Sequence, residues 1–139
     1  MARVENWRPA LRAELMAARK RTWAWREHDC TTLAARCAQA ITGEPYVERV
    51  RAAFEYDDAR SAAMFFAEKT LRELVIGLLG DPVLWAQCRE GDIVLCERDP
   101  GNRLFGQILT VHDGAQLLAA DARGISPIPF AFAKVGWRL

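Results

Sequence analysis

The chain has 139 residues, 51% of them hydrophobic, and a formal net charge of +1. This size and apolar content predict a single domain over residues 1–139 with a real core. The near-neutral charge gives no electrostatic footprint for nucleic acid, and no stretch approaches the ~20 apolar residues that cross a bilayer.

The first six residues, Met1-Ala2-Arg3-Val4-Glu5-Asn6, lack the apolar stretch of a secretory signal. Synthesis in a cytoplasm is therefore expected, with Cys30, Cys37, Cys88 and Cys96 reduced. Pro9 suits a first helical turn, and Leu11, Leu15, Ala18 and Thr22 follow at helical spacing, predicting a helix over about 9–21. An aromatic connector, Trp23-Ala24-Trp25, leads to Asp29, which reads as the N-cap of a helix over Cys30 to Ile41 that Gly43 stops. Cys30, Leu33, Ala34, Cys37, Ala38 and Ile41 share one face of it. A turn or two of helix is expected over 47–55, a further segment from Asp57 to Glu68, and a helix to Leu79 opened by the capping pattern Thr70-Leu71-Arg72-Glu73.

Beyond Pro82 the period changes. Ile93 to Cys96 is a strand candidate, Asp99-Pro100-Gly101-Asn102 a turn, and Leu104 to Val111 a second strand. Asp113-Gly114 is a hairpin turn signal, with Ala115 to Ala120 as the return strand. Pro127 and Pro129 suit an edge strand or loop. Helices first and a strand meander second predict an α+β domain, with N-terminal helices packed on a C-terminal antiparallel meander. Asp92, after a turn glycine, reads as a turn or edge residue. Trp7, Trp23, Trp25, Trp85 and Trp137 are spread through connectors and ends, where aromatic residues serve either the core or a partner contact.

The chemistry concentrates in Trp25-Arg26-Glu27-His28-Asp29-Cys30. A cysteine in the first turn of a helix meets outward-pointing amides and a dipole that favours negative charge, which activates a thiol. The same place suits an inert core cysteine. Cys30 is thus the candidate nucleophile, Asp29 its helix cap and His28 a candidate base, with Trp25 and Arg26 as candidate substrate contacts. With no Cys-x-x-Cys pair and no His-x-x-x-His, no metal or other cofactor is expected.

An aromatic-x-Trp followed by Asp-Cys, an Ala-rich helix and Thr-Gly resembles the phage-associated branch of the NlpC/P60 (papain-like) superfamily. The likeness continues in order through Ala59 to Phe66, Thr70-Leu71-Arg72-Glu73-Leu74, Leu79-Gly80-Asp81-Pro82-Val83, Gly91-Asp92-Ile93-Val94-Leu95 and Trp137-Arg138. The resemblance implies a papain-like fold and a place in a virion tail after synthesis in a bacterial host. It implies tail hub or tip proteins as partners, with Cys30 standing where the superfamily has the nucleophile of a peptidoglycan-cleaving peptidase. The catalytic pattern is broken, however. Leu104 occupies the position of the expected base histidine, Leu118 or Ala119 that of the polar residue orienting it, and Arg26 that of a common glycine. His112 lies eight residues beyond Leu104, roughly 26 Å along a strand and out of a general base's reach. The expectation is therefore a tail-tip component with a degenerate site. An active peptidase or amidase acting on peptidoglycan is the alternative, and a host adaptor unrelated to phage is a third reading.

Overall fold

A computed structural model describes residues 2–98 and 106–139. Among the described residues five α-helices come first: α1 (Trp7–Arg19), α2 (Cys30–Thr42), α3 (Tyr46–Ala53), α4 (Ala59–Glu68) and α5 (Leu71–Leu79). Six strands of the described residues follow: β1 (Val83–Leu84), β2 (Ile93–Glu97), β3 (Gln107–His112), β4 (Leu117–Asp121), β5 (Gly124–Ile128) and β6 (Ala133–Trp137). They form one antiparallel sheet in the order β1-β6-β2-β3-β4-β5. The domain is α+β, as the change of period predicts.

Local chemistry explains the boundaries. In α1, Leu11, Leu15 and Ala18 form the buried stripe, at i, i+4 and i+7. Asp29 caps α2 through the Thr32 amide, Thr32 returns a bond to the Asp29 amide, and Gly43 ends the helix at φ 76°. Asp58 and Ser61 form the same reciprocal pair on α4, one residue later than the Asp57 opening predicted. Thr70 caps α5 by accepting from the Glu73 amide, the half of the capping box carried by the N-cap side chain.

The strand predictions place the elements, with shifted bounds. The return strand begins at Leu117, after the Asp113-Gly114 turn, and Pro127 lies in the edge strand β5. The predicted turn Asp99-Pro100-Gly101-Asn102 and the first two residues of the predicted strand, Leu104 and Phe105, lie outside the described residues.

Residues alternate between the faces of a strand. Ile93, Leu95, Leu109, Val111, Leu118, Ala120 and Trp137 turn to the helices and build the main core with Leu33, Cys37 and Ile41 of α2. Val94, Cys96, Leu117, Ala119, Ile128 and Ala133 form a second cluster on the far face, against which Trp85, Ile108 and Phe132 pack. Trp137 is a core residue, its indole N–H donating to the Gly80 carbonyl at 2.9 Å and tying β6 to the end of α5. Trp7, Trp23 and Trp25 lean on the same core, and Trp85 stacks on Phe130 at 5.6 Å.

Asp92 follows the turn at Gly91, directly before β2, and its environment adds what the turn reading did not include. It is buried, and Oδ1 accepts from Arg3 Nη2 at 2.8 Å and from the Leu139 amide at 3.0 Å, while Oδ2 accepts from the Arg89 amide at 2.9 Å. The Arg3 guanidinium also donates to the carbonyls of Leu139 and Glu90. A buried carboxylate with this set of donors is a structural clasp between the first and last segments of the sheet region.

Candidate functional site

The loop before α2 is held by Asp29. Its Oδ1 accepts from the Thr32 amide and from the hydroxyls of Thr31 and Thr32, each at 2.9 Å, and its Oδ2 from the Arg26 amide at 2.8 Å. Since Thr31 donates to Asp29, the Tyr56 hydroxyl, 2.9 Å away, donates to Thr31. This buried relay fixes where α2 begins and hence where Cys30 sits.

Arg26 holds φ 68°, the left-handed region, at the position where the resemblance expects glycine. The strain of an L-residue there is about 1–2 kcal/mol. Offsetting it, the guanidinium donates to the carbonyls of Phe54 and Tyr56 and, at 2.7 Å, of Arg51, all at the end of α3. Cations favour that end of a helix. The side chain is thus committed to the scaffold.

Cys30 is the first residue of α2, and backbone hydrogen bonding from Leu109 in β3, Cys30 and Thr31 lowers its thiol. These three donors favour the thiolate. Burial and, after it, the Asp29 carboxylate oppose them and win, pushing the thiol up from 9.0 to about 12. At neutral pH Cys30 is a thiol.

The space around Cys30 comes from a split in the sheet. β3 and β4 pair at Val111 with Leu118 and at His112 with Leu117, and the ladder stops there. Toward Gln107 and Asp121 the strands part, leaving a cavity of about 610 Å³. Cys30 and Ala120 line it from the helix side, and Ile108, Ala119 and Ile128 from the far side, so it reaches through the sheet. Its polar groups are Gln107, Arg98, Asp121 and Ser126. The Ser126 hydroxyl donates to Asp121 Oδ2, and Gln107 Oε1 is buried with no hydrogen-bond donor among the described residues.

The predicted residues are distributed as follows. Asp29 and Cys30 are together at the helix start. His28 is buried, with Nε2 donating to the Gly124 carbonyl at 2.6 Å, and no hydrogen bond joins its ring to the sulfur. That bond places the ring proton on Nε2, leaving Nδ1 without a partner among the described residues. Trp23 lines the cavity, whereas Trp25 packs edge-on against Trp23 at 5.2 Å and Tyr56 at 5.7 Å. His112 is at the paired end of β3, its Nδ1 accepting from the Gly114 amide at 3.0 Å. Leu104, the position expected for the base, lies outside the described residues. Leu118 and Ala119, where an orienting polar residue is expected, are buried apolar side chains. Sequence reasoning missed Gln107, Asp121 and Ser126. The Asp121-Ala122-Arg123-Gly124 turn was the available signal for the last two.

Among the described residues, no cluster of three His, Cys, Asp or Glu side chains is arranged to hold a metal ion, and no helix is long and apolar enough to cross a membrane. Compared with known protein families, residues 2–139 match the model described as Domain of unknown function (DUF6950). No curated protein and no solved structure matches the chain.

Proposed function

The chain belongs to the DUF6950 family, and on that premise we propose that it is a papain-like domain of the NlpC/P60 type serving as a structural or assembly component of a phage, prophage or gene-transfer-agent tail tip, with a degenerate cysteine-peptidase site. The observation that carries the degenerate site is the geometry at Cys30: among the described residues no side chain is hydrogen-bonded to its sulfur as a proton acceptor, and the His28 ring is tied instead to the Gly124 carbonyl. Cysteine hydrolysis needs a thiolate and a donor for the leaving group. Helix position supplies part of the first need and nothing of the second, and loss of acid–base help costs about 10²–10⁴-fold in rate.

The tail assignment rests on the ordered sequence resemblance, and its partners are then tail hub or tip proteins. One observation favours the alternative, an active peptidase or amidase on peptidoglycan. Backbone groups of Leu109, Cys30 and Thr31 each lower the Cys30 thiol, the direction that a site stabilising negative charge would require.

Two experiments test the reading. Purified protein, Cys30→Ala and His28→Ala are assayed on peptidoglycan fragments. Equal silence supports the scaffold role, and cleavage that Cys30→Ala abolishes overturns it. Particles from a host carrying the gene are purified and imaged; complete tail density without this chain overturns the tail assignment.

A further inference from the structure

A second concavity lies at the other end of the sheet from Cys30. β3 separates the two: Gln107, at its first residue, lines the Cys30 cavity, and His112, at its last, lines a groove of about 680 Å³. Five strand steps make that separation roughly 17 Å.

The charges of the groove do not balance. Arg3 is paired with Asp92 and Arg8 with Glu90, at 2.8 and 3.2 Å, and both guanidiniums lie over the Trp7 ring, at 4.1 and 4.8 Å. Both side-chain carboxylates lining the groove are thereby committed, and Arg3 also holds the backbone oxygen of Leu139. Arg89 and Arg138 remain; both are exposed, both line the groove, and neither guanidinium has a hydrogen bond or ion pair among the described residues. His112 adds a third donor, because the Gly114 amide occupies Nδ1 and leaves the ring proton on Nε2.

We propose that this groove binds an acidic peptide segment of a partner protein, with carboxylates on Arg89, Arg138 and His112. A guanidinium accepts a carboxylate through two parallel bonds, which gives orientation as well as attraction. The groove has the size of a site for an extended molecule rather than one small ion.

The test is a calorimetric titration of the full chain with a blocked hexaglutamate peptide at low salt, repeated with hexalysine and with inorganic phosphate. Saturable hexaglutamate binding is expected, weakened by added salt. Arg89→Gln with Arg138→Gln should weaken it roughly fivefold or more, since each exposed pair contributes modestly, while the melting temperature stays unchanged. Cys30→Ala should bind as the parent does, so this result is independent of any activity at the cavity. Absence of binding at low salt, binding that the double substitution leaves intact, or phosphate binding as tightly as the peptide would each overturn the proposal.

Discussion

The Arg26 amide donates to Oδ2 of Asp29 at 2.8 Å, which makes a left-handed residue part of the same unit as the cap of the helix that carries Cys30. The backbone at residue 26 and the carboxylate at residue 29 therefore set the sulfur's position together. Neither touches the cavity that the sulfur opens into.

Substitution at residue 26 should separate backbone strain from side-chain bonding. Arg26→Ala keeps the strain of φ 68° and removes the bonds to the carbonyls of α3; a loss of about 2–4 kcal/mol is expected. Arg26→Gly removes the same bonds and also relieves the strain, so it should be about 1 kcal/mol more stable than the alanine variant. Urea denaturation of the two proteins reads the order directly. An alanine variant as stable as the glycine variant would mean that the left-handed turn carries no strain.

Alkaline pH should destabilise the fold. Burial raises the thiols of Cys30, to about 12, and Cys88, to about 11, from 9.0, and it raises Cys37, Cys96 and the Tyr56 hydroxyl as well. Between pH 9 and the raised values the unfolded chain has lost protons that the folded chain keeps, so stability falls as pH rises. Below pH 9 these groups contribute no slope. Urea midpoints measured from pH 7 to 11 should be flat with respect to these groups and then decline, and Cys30→Ala should make the decline shallower.

Thiol labelling should report the same environment at neutral pH. A thiol at about 12 instead of 9.0 carries about a thousandfold less thiolate. Mass spectrometry of an iodoacetamide time course at pH 8 should find Cys88 modified before Cys30. The buried Cys37 and Cys96 should follow only on unfolding. Rapid modification of Cys30 in the folded protein would instead favour the active-peptidase reading.

The clasp at Asp92 should behave as a coupled unit. Asp92→Ala leaves Arg3 Nη2 and the amides of Arg89 and Leu139 without their acceptor, and about 3–5 kcal/mol is expected to be lost. Arg3→Ala should cost less, because both amides still satisfy the carboxylate. The double variant should fall short of the sum by about 1 kcal/mol or more, as partners in one network do. Additive losses in thermal or urea unfolding would show the two residues to be independent.

What the sequence made legible follows from the range of the interactions involved. Asp29, Gly43 and the Asp113-Gly114 turn act within a few residues, and each is visible from its neighbours alone. The helical stripe of α1 and the helix face carrying Cys30, Leu33 and Cys37 are equally local. The burial and ion pairing of Asp92 were not legible because its partners, Arg3 and Leu139, are distant in the chain. The cavity was hidden for a related reason. It depends on where the β3–β4 ladder stops, and pairing length is not encoded in either strand's own pattern. The ring of His28 could not be placed because its acceptor is a backbone carbonyl at Gly124, an atom every residue possesses. The left-handed turn at Arg26 was signalled only indirectly, by the glycine that the resemblance led one to expect there.

The position of β6 has a consequence for biosynthesis. This last strand, Ala133–Trp137, sits between β1 and β2, so those two elements have no partner in common until it arrives. During translation the helices can form as they leave the ribosome, but β2 presents one open edge and β1 has no partner strand until residues 133–137 have themselves emerged from it. Open edges invite pairing between chains, and closure over this sequence distance is slow. A ribosome stalled short of β6 would therefore hold a nascent chain prone to self-association, and chaperone demand should peak at that length.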